Sequence, residues 1–172
     1  MSHKIKFAFV TVLILATFCW NFGQDKSAMK YIDEINFDVE IKYLSGNEEN
    51  YKWLLVYRSG IVTEALLMLD SADIQVNQDI ETPKLVLKVT ADNNFKNKLS
   101  GEDGWYYVNA EIYLIDKVKL LEHPGNRVET IIWQGECLRK FVSENNVELL
   151  KNEEIARIVQ SFIADFMEIN PK

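Results

Sequence analysis

The sequence predicts a single α+β domain: a largely antiparallel sheet of about five strands with two packed helices, in the order β-α-β-β-β-β-α. Three observations carry that expectation. The stretch Trp105 to Val118, WYYVNAEIYLIDKV, alternates with period two. It puts Tyr106, Val108, Ala110, Ile112 and Leu114 on one apolar face, and Trp105, Tyr107, Asn109, Glu111, Tyr113 and Ile115 on a mixed one. The chain closes with a helical stripe of Ile155, Ile158, Val159, Phe162, Phe166 and Ile169. Between residues 35 and 138, short apolar runs are separated by turn-forming segments, as in a sheet whose neighbours follow one another in sequence.

Residues 1–24 read as a secretory leader and residues 25–172 as the domain. Lys4 and Lys6 form a basic head, Phe7 to Phe18 is apolar apart from Thr11 and Thr17, and Asn21 to Asp25 returns the chain to water. The order places cleavage near Gly23-Gln24 and the product in the periplasm or outside the cell. A retained N-terminal anchor is the competing reading, because no small-x-small site precedes the polar segment. The apolar run is nevertheless shorter than the roughly 20 residues that span a bilayer. Cys19 opens a third route, lipid attachment, but Thr17-Phe18 sets a bulky ring where that processing favours small residues.

In the domain, Ile35, Phe37, Val39, Ile41 and Tyr43 alternate with polar residues as a half-buried strand. Ser45 to Asn50 breaks it, and a helix is expected over 54–71, with Ile61, Ala65, Met68 and Leu69 stacked at three- and four-residue steps. Ile74 to Val76 reads as a short strand. Pro83 opens the next, with Leu85, Leu87 and Val89 turned inward; a proline at a strand's start removes no ladder bond. His123-Pro124-Gly125-Asn126 marks a turn. Val128 to Leu138 should then return antiparallel to the central strand, with Gly135 marking a bulge or a close backbone approach. Asn152 or Asn146 is the expected cap of the tail helix, Glu153, Arg157, Gln160 and Asp165 its outer face, and Asn170-Pro171 its stop.

Three motifs bear a family likeness: Ala72-Asp73-Ile74-Gln75-Val76 after a helix; Pro83 to Val89 leading to Gly104-Trp105-Tyr106-Tyr107; and Phe162 to Lys172, closing on Asn170-Pro171-Lys172. Over residues 55–172 the chain resembles a family of small exported bacterial proteins of unknown function, in which the position of Asp73 is often glycine and Ile132-Trp133 has a Thr-Trp counterpart. The resemblance implies an exported α+β domain without an assigned biochemical role. The general build also looks like that of small envelope lipoproteins that assist transport or outer-membrane assembly.

The leader holds two of the 19 basic residues, Lys4 and Lys6, and none of the 26 acids, so the domain carries 17 against 26, a net charge of −9. An acidic domain without a basic cluster is a poor partner for nucleic acid or an anionic membrane surface. Membrane contact is therefore expected only through an uncleaved N-terminal segment. With Cys19 removed, Cys137 has no partner for an internal disulfide and reads as a structural thiol in an apolar strand.

Catalytic motifs are missing. Neither Gly-x-Ser-x-Gly, a phosphate-binding glycine loop nor His-Glu-x-x-His occurs. The domain's one histidine, His123, falls in a turn, and Glu102-Asp103 with Asp92 lacks the alternation of a calcium loop. No enzyme activity, cofactor or metal is expected. The aromatic set Trp53, Tyr57, Trp105, Tyr107, Tyr113 and Trp133 reads first as core and cross-strand packing. Its sharper reading gives Trp105, Tyr107 and Tyr113 to an exposed face that takes another envelope protein or an apolar ligand. A non-enzymatic binding or assembly module is thus the expected function. A carboxylate-dependent hydrolase and an oligomerising subunit pairing through the edge of Ile35–Leu44 or Ile74–Val76 are the alternatives.

Overall fold

A computed structural model describes residues 26–44, 52–79, 81–92, 105–120, 125–143 and 150–171. The leader with Cys19, the Glu102-Asp103 turn, His123, Asn146 and the side chains of Trp53, Trp105 and Asn152 lie outside the described residues. The elements are β1 (Glu34–Tyr43), α1 (Lys52–Ser71), β2 (Gln75–Asn77), β3 (Lys84–Asp92), β4 (Trp105–Lys119), β5 (Arg127–Ser143) and α2 (Ala156–Ile169). A 3₁₀ turn, Lys26–Met29, precedes β1, and a π-helical turn, Leu150–Ile155, leads into α2.

The strands form one five-stranded sheet in the order β2-β1-β3-β4-β5. Its longer ladders, β3 with β4 and β4 with β5, are antiparallel, while β1 pairs parallel with β2 and with β3. The parallel pairs follow from connectivity: a strand that returns through a crossover helix re-enters in the same direction. β2 and β3 flank β1 on opposite sides, so that Asn36 is in register with Asn77 and with Lys84.

Both helices lie on one face of the sheet. Ile35 and Val39 of β1, Leu85, Leu87 and Val89 of β3, and the even-numbered residues Tyr106 to Leu114 of β4 are buried against them. From the helices come Ile61, Ala65 and Leu69, and Ile158, Val159, Phe162 and Phe166. Each fully buried aliphatic or aromatic side chain contributes about 1.5–3 kcal/mol. The stripe expected in the tail helix is therefore the core's second layer.

Two ends of these elements have definite causes. At the end of α1, Asp73 takes a left-handed conformation (φ 59°), and Ile74 N–H donates to Leu69 O at 3.0 Å while Asp73 N–H donates to Asp70 O at 2.8 Å. This 6→1 closure turns the helix directly into β2. At the other helix, no side chain caps the first turn, since the π-helical turn runs into Ala156 without a break. At its far end Asn170 N–H donates to Phe166 O at 3.0 Å, and the Asn170 amide donates to Met29 O at 3.1 Å. Asn170 thereby stops the helix and pins the 3₁₀ turn, whose Met29 is fully buried.

The glycine in β5 marks a bulge, as its position suggests. Glu111 faces Cys137, but Tyr113 faces Gln134, and a second shift falls between Leu114 opposite Trp133 and Ile115 opposite Ile131. An ideal Cβ on Gly135 would overlap the Trp133 ring and come within 2.8 Å of Ile112 Cγ2. The first shift reverses the facing of β5 and the second restores it. Without the first, Trp133 would share the face of Cys137 and Phe141; with it, the indole enters the core at 2% exposure.

Candidate functional site: the open face of the sheet

Opposite the helices, no described element covers the sheet. The faces follow from period two: in β4, Tyr107, Asn109, Glu111, Tyr113 and Ile115 point away from the buried row. Register places Phe141 across from Tyr107, Arg139 across from Asn109 and Cys137 across from Glu111. On the other side of β4, Asp92, Lys88 and Val86 stand opposite Tyr107, Glu111 and Tyr113.

Tyr107 and Tyr113, two of the three residues expected on that face, are half-buried on the side of β4 turned away from the helices. Tyr107 packs its ring on Phe141 with centroids 5.3 Å apart and planes tilted by 58°. Tyr113 lies beside Val86, which is fully buried although it points away from the helices. Trp105 opens β4 opposite Ser143, and its side chain is outside the described residues. Of the remaining rings, Tyr57 packs against the core and Trp133 belongs to it, so these two are structural. Trp133 meets Phe162 edge-on at 5.1 Å.

Phe141, at 41% exposure, is a member of the face that sequence reading missed. The adjacent charges Arg139-Lys140 interrupt the alternation and end the expected strand at Leu138, whereas β5 continues to Ser143. The signal available was the return of Phe141 and Val142 to alternation after those two charges.

The centre of the face is polar. Asn109 donates through Nδ2 to Glu111 Oε1 at 2.8 Å, which meets the need of that half-buried carboxylate for a partner. Asp38 receives Lys84 Nζ at 2.8 Å and Arg58 at 3.4 Å. The Lys84 hydrogen bond is the main reason that the Asp38 carboxyl is held below the usual range, against the opposing effect of burial. Arg58 also donates from Nε to Val39 O at 3.1 Å, capping the edge of β1 beyond its short pairing with β2. The Tyr113 hydroxyl is pushed upward, first by burial and then by the negative charges of Glu40, Glu111 and Asp38.

Beyond Tyr113 the face runs into a groove of about 500 Å³. Asn36, Glu40, Lys84 and Ile115 form its floor, Gln78, Asp79 and Thr82 one wall, and Asp116, Lys117 and Glu129 of the β4–β5 arm the other. Glu81 clasps the two walls, receiving Lys117 Nζ and Arg127 Nη1 at 3.1 Å each. Within the first wall, Asn77 Oδ1 accepts Asp79 N–H at 2.9 Å and the Thr82 hydroxyl at 3.1 Å, which fixes its path.

Among the described residues, no group of three or more His, Cys, Asp or Glu side chains is placed to hold a metal ion. Cys137 is a free, half-buried thiol. No described helix is long and apolar enough to cross a membrane.

No protein-family model matches the chain, and no curated protein does. Among solved structures, a minor lipoprotein from Acinetobacter baumannii is similar with a TM-score of 0.39 at 10% identity, covering 82% of this chain and 95% of its own. The rare lipoprotein B of Shewanella oneidensis is similar with a TM-score of 0.33 at 15% identity, covering 78% of this chain and 98% of its own. At TM-scores this low, neither likeness carries an argument about this chain.

Proposed function

We propose that this chain is a non-enzymatic binding or assembly module exported to the bacterial cell envelope, and that it engages another envelope protein through the open face of its sheet. One observation carries the reading: among the described residues the helices cover one face only, and the other carries Tyr107, Phe141 and Tyr113 around a hydrogen-bonded polar centre. Large amphipathic rings on a sheet face that no described element covers supply contact area at low entropic cost, which is what interface anchors need. The basic-apolar-polar order of residues 1–24 supports the location.

The face is favoured over an edge as the contact. The two bulges in β5 and the Arg58 cap on β1 beyond its pairing with β2 make those stretches poor templates for an added strand. Site-specific photo-crosslinking in growing cells tests the proposal. A photoreactive amino acid at Tyr107 or Tyr113 should yield a discrete protein adduct, and one at the exposed Leu67 on the outer side of α1 should not. Adducts from Leu67 with none from the open face would refute it.

A further inference from the structure

The groove at the end of the open face has an unbalanced lining. Its two lysines are already engaged: Lys84 with Asp38 at 2.8 Å and Lys117 with Glu81 at 3.1 Å. The carboxylates that line it, Glu40, Asp79, Asp116 and Glu129, have no cation paired with them among the described residues. Lys84 and Lys117 are thus paired with acids that do not line it, and among the described residues four lining carboxylates stand against these two engaged lysines. The same field reaches Tyr113, where Glu40 is the largest of the charges acting on the hydroxyl.

The walls are fixed before anything binds. The clasp at Glu81 joins the two walls, and the side-chain bonds between Asn77 and Thr82 fix the first of them, over a floor that includes Ile115. Preorganised walls reduce the ordering cost of binding. A volume of about 500 Å³ lies within the range of ligand sites and suits a few residues of extended chain rather than a single ion.

We infer that this groove receives a short basic segment of the partner protein, with lysine or arginine side chains set against Glu40 and Glu129 and their aliphatic stems along Ile115. This rests on the open-face reading and adds to it the chemistry of the partner. A long basic side chain matches both features of the site, since its stem covers apolar surface while its head stays with the carboxylates. A second copy of this acidic chain would bring like charge to like and is disfavoured.

Titration of the ¹⁵N-labelled protein with pentalysine tests the inference. Amide shifts should centre on Asn36, Lys84, Lys117 and Glu129, weaken with salt, and be missing with pentaglutamate. The double variant Glu40→Gln/Glu129→Gln should bind pentalysine about tenfold more weakly, as expected for two partly exposed charge contacts. The control Glu64→Gln/Asp70→Gln, which changes net charge equally on α1, should bind as the parent does. Shifts centred elsewhere, equal weakening in the control, or spermidine binding as tightly as pentalysine would overturn the inference. Crosslinking from Tyr107 is independent of all three results, so the groove can fail while the open-face reading stands.

Discussion

The indole N–H of Trp133 donates to Asp165 Oδ2 at 3.1 Å, a part-buried link between the bulged edge strand and the tail helix beside the exposed Arg157–Glu136 pair. Asp165 also receives Lys26 Nζ at 2.7 Å, so one half-buried carboxylate joins β5, α2 and the first turn of the domain. Replacing Asp165 by alanine leaves a buried donor without its acceptor. Asp165→Ala should lower unfolding free energy by about 1–3 kcal/mol in urea titration. A change near zero would mean that the indole finds water and that the bond contributes nothing net.

Gly135→Ala tests the bulge. The added methyl has no room beside Trp133 and Ile112, and overpacking of this kind costs about 1–3 kcal/mol. Gly135 and Trp133 are in contact, so trimming the ring in the double variant Gly135→Ala/Trp133→Leu should recover part of the loss. Strict additivity in a double-mutant cycle would show that backbone conformation, rather than the ring, demands the glycine.

Asp73 occupies a left-handed position at φ 59°, a conformation that glycine adopts without strain. A left-handed residue other than glycine costs about 1–2 kcal/mol, and glycine's larger unfolded-state entropy offsets roughly 0.5–1 kcal/mol of that. Asp73→Gly should therefore stabilise the protein by up to about 1 kcal/mol, read as a raised thermal midpoint. A lowered midpoint would show that the aspartate side chain contributes more than the backbone strain removes.

Acid should weaken the anchoring of β1. The Asp38 carboxyl is held low chiefly by its Lys84 hydrogen bond. A carboxyl depressed in the fold contributes stability above its unfolded value, about 3.9, and loses that contribution as pH falls through the folded value. Asp38→Asn should thus be less stable than the parent at neutral pH, with the difference closing as pH falls below the unfolded value and through the lower folded one. A gap of constant size across that range would assign the effect to shape rather than charge.

Most of the fold was legible because its elements are long and periodic. The mixed face of β4 could be read directly from Tyr107, Asn109, Glu111 and Tyr113, and the core stripe of the tail helix from Ile158 to Phe166. Long-range pairing was not legible. Phe141 joins the face only through its register with Tyr107, and Trp133 leaves it only through a shift at Gly135. Asp165 reads as an outward helix position until β5 and Lys26 are brought beside it. The groove likewise depends on the clasp of Glu81 with Lys117 and Arg127, residues 36 and 46 positions away.

The central claim, that the open face is a binding surface and not a core awaiting cover, is tested most directly by the double substitution Tyr107→Ala/Phe141→Ala. Stability and capture of the crosslinked envelope partner should be measured on the same preparation. The ring pair contributes about 0.5–1.5 kcal/mol beyond its burial, so the unfolding midpoint should fall only modestly while partner capture is lost. A protein that loses several kcal/mol, or one that keeps its partner at unchanged affinity, would contradict the account.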